Sequence, residues 1–131
     1  MRVAVAILCV LAAACYTDVR TSPSPSVNRE VVLAPGGVAS IAEAALTVRF
    51  EGVTGDSRCP ADAVCIQGGD AIVTIEVRSD AFTRSYELHT GDMRPVTHDD
   101  LVIELVQLAP YPFSSHPLDP ADYRATLRIR C

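Results

Sequence analysis

The chain has 131 residues, room for one domain with a real core. Eleven basic residues against 16 acidic ones leave a formal charge of −5, so there is no electrostatic footprint for nucleic acid. Every basic residue is arginine, which with abundant alanine points to a GC-rich genome rather than to a function.

The first element is an export signal. Arg2 precedes an unbroken apolar run over residues 3–14, and Cys15 follows three alanines. Twelve apolar residues fall short of the roughly 17–25 that a membrane-spanning helix needs, so the run reads as a cleaved segment. Ala12, Ala13 and Ala14 suit an ordinary signal peptidase. They also suit lipoprotein processing, because the stretch resembles a lipobox, with alanine at position 12 where leucine is favoured. That resemblance implies that Cys15 is acylated and becomes the N-terminus, and several acyl chains would hold it durably in the membrane. It also implies Tyr16 at the sorting position. Aspartate stands at 18 instead, which points to the outer membrane in a Gram-negative cell. The expected organisation is residues 1–14 as signal, 15–28 as lipidated cysteine and polar tether, and 29–131 as the folded domain. Plain secretion is the alternative.

Beyond the tether, alternation of apolar and polar residues dominates. Leu46, Val48 and Phe50 face one way and Thr47, Arg49 and Glu51 the other. The same period of two runs through Ala71, Val73, Ile75 and Val77, and through Tyr123, Ala125, Leu127 and Ile129. Weaker strand candidates cover residues 30–34, 38–42, 82–89 and 101–108. The last of these has a helical alternative, with Glu104 and Gln107 three apart. Short helical turns fit at 42–45 or 61–64. Pro35-Gly36-Gly37 reads as the turn of a first hairpin, and Thr90-Gly91-Asp92 starts the connection after Leu88. Seven antiparallel strands with turn signals between them predict an all-β protein, a single β-sandwich or small barrel.

Cys59 and Cys65 enclose a seven-residue loop, and thiols of an exported protein tend to pair. Metal ligation is the rival, although no second Cys/His pair stands near. Cys131 is a leftover thiol if Cys15 carries lipid, and a partner for Cys15 if it does not. The string Asp56-Ser57-Arg58-Cys59-Pro60, followed after four residues by Cys65 and then by Gly69-Asp70-Ala71, resembles a signature of small uncharacterised bacterial lipoproteins. Where those have Trp-Ala, this chain has Gln67-Gly68. The resemblance implies an envelope protein and carries no activity with it.

Functional candidates are few. The Cys59–Cys65 segment reads as a stapled loop in which Arg58 is held by Asp56, Asp62 or Asp70. Its functional alternative is a rigid presented loop over residues 60–64, with Pro60 and Asp62 among its candidate binding residues, that docks into a partner as inhibitor loops do. Tyr111 and Phe113 sit in a proline-stiffened stretch, 110–120. They either cover an end of the core as a crossover strap or lower the ordering cost of binding an envelope protein or a glycan. Arg124, Arg128 and Arg130 form a basic stripe expected to pair with Glu51 or Glu76, or to meet an anion. His98-Asp99-Asp100 would suit a cation site or a general base, but its polar setting predicts a solvated loop. A small hydrolase using His98 is the remaining alternative. There is no nucleophile elbow, phosphate-cradling glycine loop or paired metal-ligand spacing, so no catalytic residue, metal or cofactor is expected.

Overall fold

The computed structural model describes residues 27–131. The signal, Cys15 and nearly all of the tether lie outside them. The alternating segments become strands: β1 (Asn28–Leu33), β2 (Val38–Ile41), β3 (Leu46–Asp56), β4 (Ala71–Ser79), β5 (Thr83–His89), β6 (Val96–His98), β7 (Leu101–Ala109) and β8 (Arg124–Arg130). They form two antiparallel four-stranded sheets, ordered β1-β8-β7-β6 and β2-β3-β4-β5. The sheets are not closed into a barrel; the fold is an all-β sandwich.

The period of two decides what lies inside. Val48, Phe50, Val73, Ile75, Val77, Ile103, Leu127 and Ile129 are fully buried between the sheets, while Arg49, Arg124 and Arg130 point to water. Burying each large aliphatic or aromatic side chain contributes about 1.5–3 kcal/mol. The 101–108 segment is a strand, its bulge between Leu105 and Gln107 placing both Leu105 and Leu108 inside. The eighth strand, β6, is three residues long and gives no periodic signal in the sequence.

Pro35-Gly36-Gly37 turns the chain but does not make a hairpin. β1 pairs with β8, and β2 pairs with β3 in the other sheet. The Gly37 N–H closes the turn on the Ala34 carbonyl, and Gly36 N–H and Gly37 C=O then pair with Phe50 of β3. This captures the chain into the second sheet. Gly36 has φ 83°, a conformation that costs glycine little.

The sandwich has two distinct ends. At one, Asn28 and Val102 pair with Arg130, and Cys131 N–H donates to the Val27 carbonyl at 3.0 Å. At the other, Leu33 pairs with Ala125, Ala109 with Arg124 and Asp56 with Ala71. The β3–β4 and β7–β8 connections emerge together there.

Candidate functional site at the disulfide loop

The β3–β4 connection is pinched shut at its base. Ser57 N–H and Oγ both donate to the Asp70 carbonyl, at 2.7 and 2.9 Å, and Asp70 N–H donates back to Ser57 Oγ at 3.0 Å. Gly69 permits the approach: a Cβ there would fall 1.5 Å from the Ser57 carbonyl oxygen. Beyond the pinch, Cys59 and Cys65 are joined in a disulfide with their Cα atoms 6.0 Å apart. This answers the metal alternative for the pair, and no cluster of three or more metal-ligating side chains occurs among the described residues.

Arg58 anchors the loop from beneath. It is 7% exposed, and its guanidinium forks onto Asp56, Nε to Oδ1 at 2.9 Å and Nη2 to Oδ2 at 2.8 Å. Of the three neighbouring aspartates it therefore uses Asp56. The remaining donors reach the Leu108 and Pro110 carbonyls at 2.9 and 3.0 Å, so the group ties the disulfide loop to the β7–β8 connection. Tyr111 lays its ring over the guanidinium, 5.1 Å from centroid to Cζ. Tyr123 Oη donates to Asp56 Oδ2. Burial acts to raise the Asp56 pKa, but the hydrogen bonds from Arg58 and Tyr123 outweigh it and leave the carboxyl below its ordinary value. Charge-assisted, forked and buried, this is the strong class of ion pair, and it fixes geometry.

The two connections are also joined at their outer parts. Ala61 N–H donates to the Pro112 carbonyl at 2.9 Å, and Ser114 N–H and Oγ donate to Asp62 Oδ1 at 2.9 and 3.1 Å. The Ser114 N–H holds the exposed Asp62 carboxyl below its usual range. The four residues singled out from the sequence, Pro60, Asp62, Tyr111 and Phe113, thus come together at one end of the molecule. No family model, curated protein or solved structure matches this chain. The site is therefore interpreted from its own geometry.

That geometry includes a feature the sequence reading missed in part. Val64 and Ile66, on either side of Cys65, are 102% and 104% exposed. Tyr111 and Phe113, in the joined β7–β8 connection, are 58% and 50% exposed. Val64 fell within the proposed presented loop. Ile66 did not, and an apolar residue beside a cysteine carries no signal that separates a loop tip from a small local core.

Several expectations change. Residues 110–120 are not a crossover strap, because β7 and β8 are neighbours in one sheet, and Leu118 rather than Tyr111 or Phe113 packs against the core. Residues 61–64 form a turn, and the helical turn lies at Ala42–Ala44. Of the arginine stripe, Arg128 meets Glu30 and Glu104 at 3.4 and 3.8 Å and Arg130 meets Glu104 at 3.8 Å, because β8 lies between β1 and β7. Glu51 and Glu76 belong to the other sheet. Arg124 donates to the carbonyls of Ala121 and Tyr123.

His98 is not in a solvated loop. It is the last residue of β6, 2% exposed, with Nδ1 2.8 Å from Tyr86 Oη and its ring against Phe82 and Tyr86. Nε2 lacks a hydrogen-bond partner, and Asp99 Oδ2 stands 3.8 Å away, beyond bonding reach. Cys131 is disulfide-bonded rather than a leftover thiol.

Proposed function

We propose that the protein is an exported cell-envelope β-sandwich that works as a binding module rather than as an enzyme. Val64 and Ile66 carry the binding part of the reading. Val64 inside the covalently closed loop and Ile66 just past its second cysteine hold two whole aliphatic side chains in water, on a segment whose base is fixed by Arg58. Leaving them there forgoes about 1.5–3 kcal/mol of burial each, and a preorganised tip recovers that on meeting a partner at little ordering cost. The burial of His98 against Tyr86 and Phe82 argues against the hydrolase alternative, since its ring is 2% exposed.

A photo-crosslinking residue at position 66, in the native host, tests the binding role against the same residue at exposed position 43. Adducts formed at 66 and not at 43 support it; equal labelling, or none, overturns it. The anchor is tested by intact mass before and after reduction. A chain beginning at Cys15 with a diacylglyceryl group supports lipidation.

The bonded state of Cys131 favours a second reading, a secreted form with Cys15 tied to Cys131 and the same tip acting as an inhibitor-like docking loop. A thioether-linked Cys15 has no thiol left to pair, so the two readings exclude each other in one molecule. An unlipidated mass gaining four hydrogens on reduction selects the second.

A further inference from the structure

β5 and β6 are edge strands of the two sheets, and His98 of β6 bridges them. Its Nδ1 stands 2.8 Å from Tyr86 Oη of β5, and the rings of Phe82 and Tyr86 pack against it. The side chain is 2% exposed and Nε2 has no hydrogen-bond partner. Over Nε2, at 3.8 Å, lies Asp99 Oδ2. Asp99 is 78% exposed and opens the two-residue turn that joins His98 to its paired residue Leu101. Its φ of 51° is left-handed, a conformation that aspartate tolerates.

The charges around the ring are few. From β5 come the Tyr86 hydroxyl and, beyond Phe82, the Arg84 guanidinium, 5.9 Å from the Phe82 centroid. From β7 come Leu101 and Ile103, which are apolar. The turn supplies two acids, Asp99 against Nε2 and Asp100 next in sequence. Among the described residues, no other ionised group pairs with His98.

We propose that His98 and Asp99 form a proton-driven latch. When the buried ring takes up a second proton, the Asp99 carboxylate closes onto Nε2–H and ties the β6–β7 turn to the sandwich. The neutral ring has one N–H and one bare nitrogen. Tyr86 can satisfy Nδ1 in either tautomer, because a phenol hydroxyl both donates and accepts. Nε2 is left over in both. The doubly protonated ring donates from both nitrogens. Nδ1–H gives to Tyr86 Oη, and the half-buried phenol turns its own hydrogen away. Nε2–H then carries a buried positive charge toward a carboxylate about 1 Å beyond bonding distance. Burying a charge without a counter-ion is costly, and this carboxylate relieves that cost by rotating one exposed side chain. The bond it forms is charge-assisted and shielded by the ring's surroundings, which places it above an ordinary surface pair.

The effect falls on β6, which has three residues and a single sheet neighbour, β7. With the latch closed, Asp99, His98 and Tyr86 make a continuous polar chain from the turn into the other sheet. This device is independent of the binding role proposed for Val64 and Ile66.

NMR of the isotope-labelled chain across the histidine range, roughly pH 8 to 5, tests it. Ring nitrogen shifts report the protonation of His98, and the Asp99 carboxyl carbon reports docking. Amide exchange of β6, corrected for the pH dependence of free-chain exchange, reports the latch. The expected result is an Asp99 signal that moves with the His98 midpoint and a β6 that keeps its protection as the ring charges. In Asp99→Gly that protection falls about tenfold over the same range, the effect of losing one charged hydrogen bond. Glycine accepts the left-handed φ, so the turn itself survives. Asp99→Asn, which keeps an acceptor without the charge, falls between the two, and Asp100→Asn behaves as the wild type. Equal loss of β6 protection in the wild type and Asp99→Gly overturns the latch, because the charged ring then simply opens the edge. An Asp99 signal that ignores the His98 midpoint overturns it too. So does a ring that takes no second proton anywhere in the range.

Discussion

The Tyr123 hydroxyl donates to Asp56 Oδ2 at 2.8 Å, joining residues 67 positions apart where β3 ends and β8 is about to begin. Asp56 is thereby held between an arginine of the disulfide loop and a tyrosine of the opposite sheet. Arg58 in turn satisfies carbonyls at Leu108 and Pro110. One aspartate thus links three segments of the tip.

Removing the cation from this arrangement is the most damaging single change at the site. Arg58→Ala leaves a carboxylate in a covered site without its cation and two carbonyls without their donor, which costs about 3–5 kcal/mol. Tyr123→Phe removes one charge-assisted hydrogen bond and costs about 1.5–3 kcal/mol. Urea denaturation at neutral pH measures both. Because the folded-state pKa of Asp56 is lowered, its contribution is complete above the ordinary value of 3.8 and is lost as pH falls through the folded value. Asp56→Asn, already lacking that contribution, shows a flatter fall in stability through this acid range. A wild-type-like slope in the variant contradicts the assignment.

His89 and Asp70 predict a second, separate pH response. The Asp70 carboxylate bonded to Nδ1 raises the His89 pKa above its ordinary 6.5, and the same bond, with the Gly91 N–H, lowers that of Asp70 below 3.8. The raised histidine stabilises fully below pH 6.5 and loses this as pH rises through its folded value. The depressed aspartate stabilises fully above 3.8 and loses this as pH falls through its own. The pair therefore contributes in full between those two ordinary values. NMR titration of the His89 ring checks it: Asp70→Asn moves the midpoint down toward the ordinary value. An unmoved midpoint refutes the pairing.

What the sequence revealed, and what it hid, follows from the range of each interaction. Leu46-Val48-Phe50 and Ala125-Leu127-Ile129 were legible because burial at every second residue leaves its mark within one strand. The same sheets hid the fate of Pro35-Gly36-Gly37, since a hairpin and a corner between sheets use the same turn residues and differ only in the partner strand. Arg58 had three equivalent aspartates nearby, and the choice of Asp56 is bound up with carbonyls fifty residues on. His98 was masked by Asp99 and Asp100, whose exposure says nothing about an inward-facing neighbour on a three-residue strand. The pairing of the disulfide loop with residues 110–114 was invisible for the same reason: it rests on Ala61–Pro112 and Asp62–Ser114 contacts that no local pattern encodes.

The disulfide shapes the tip more than it holds the fold. Closing a loop of seven residues removes unfolded-state entropy worth about 2 kcal/mol. The base of the connection stays shut without it, through the Ser57–Asp70 bonds and Arg58. Cys59→Ala with Cys65→Ala is therefore expected to keep the native far-UV spectrum and lose about that amount in urea. Hydrogen exchange should quicken at Ala61 and Ser114 while β4 and β8 stay protected. Quickened exchange in those strands contradicts this division.

Tyr86 and His98 form a polar pair in which the histidine is buried, and a double-mutant cycle separates their bond from their packing. Tyr86→Phe alone strands Nδ1 in a site where Nε2 already lacks a partner, at about 1–3 kcal/mol. His98→Phe alone removes both ring nitrogens but leaves the Tyr86 hydroxyl without its partner, a smaller loss because Tyr86 is only half-buried. With both changed, two apolar rings of similar shape meet beside Phe82, and no buried donor or acceptor of the pair remains. The double variant is thus expected to be more stable than Tyr86→Phe and close to the wild type. Thermal unfolding of the four proteins measures the cycle. Additive losses would mean that the 2.8 Å contact contributes nothing and that His98 is retained for its ring alone.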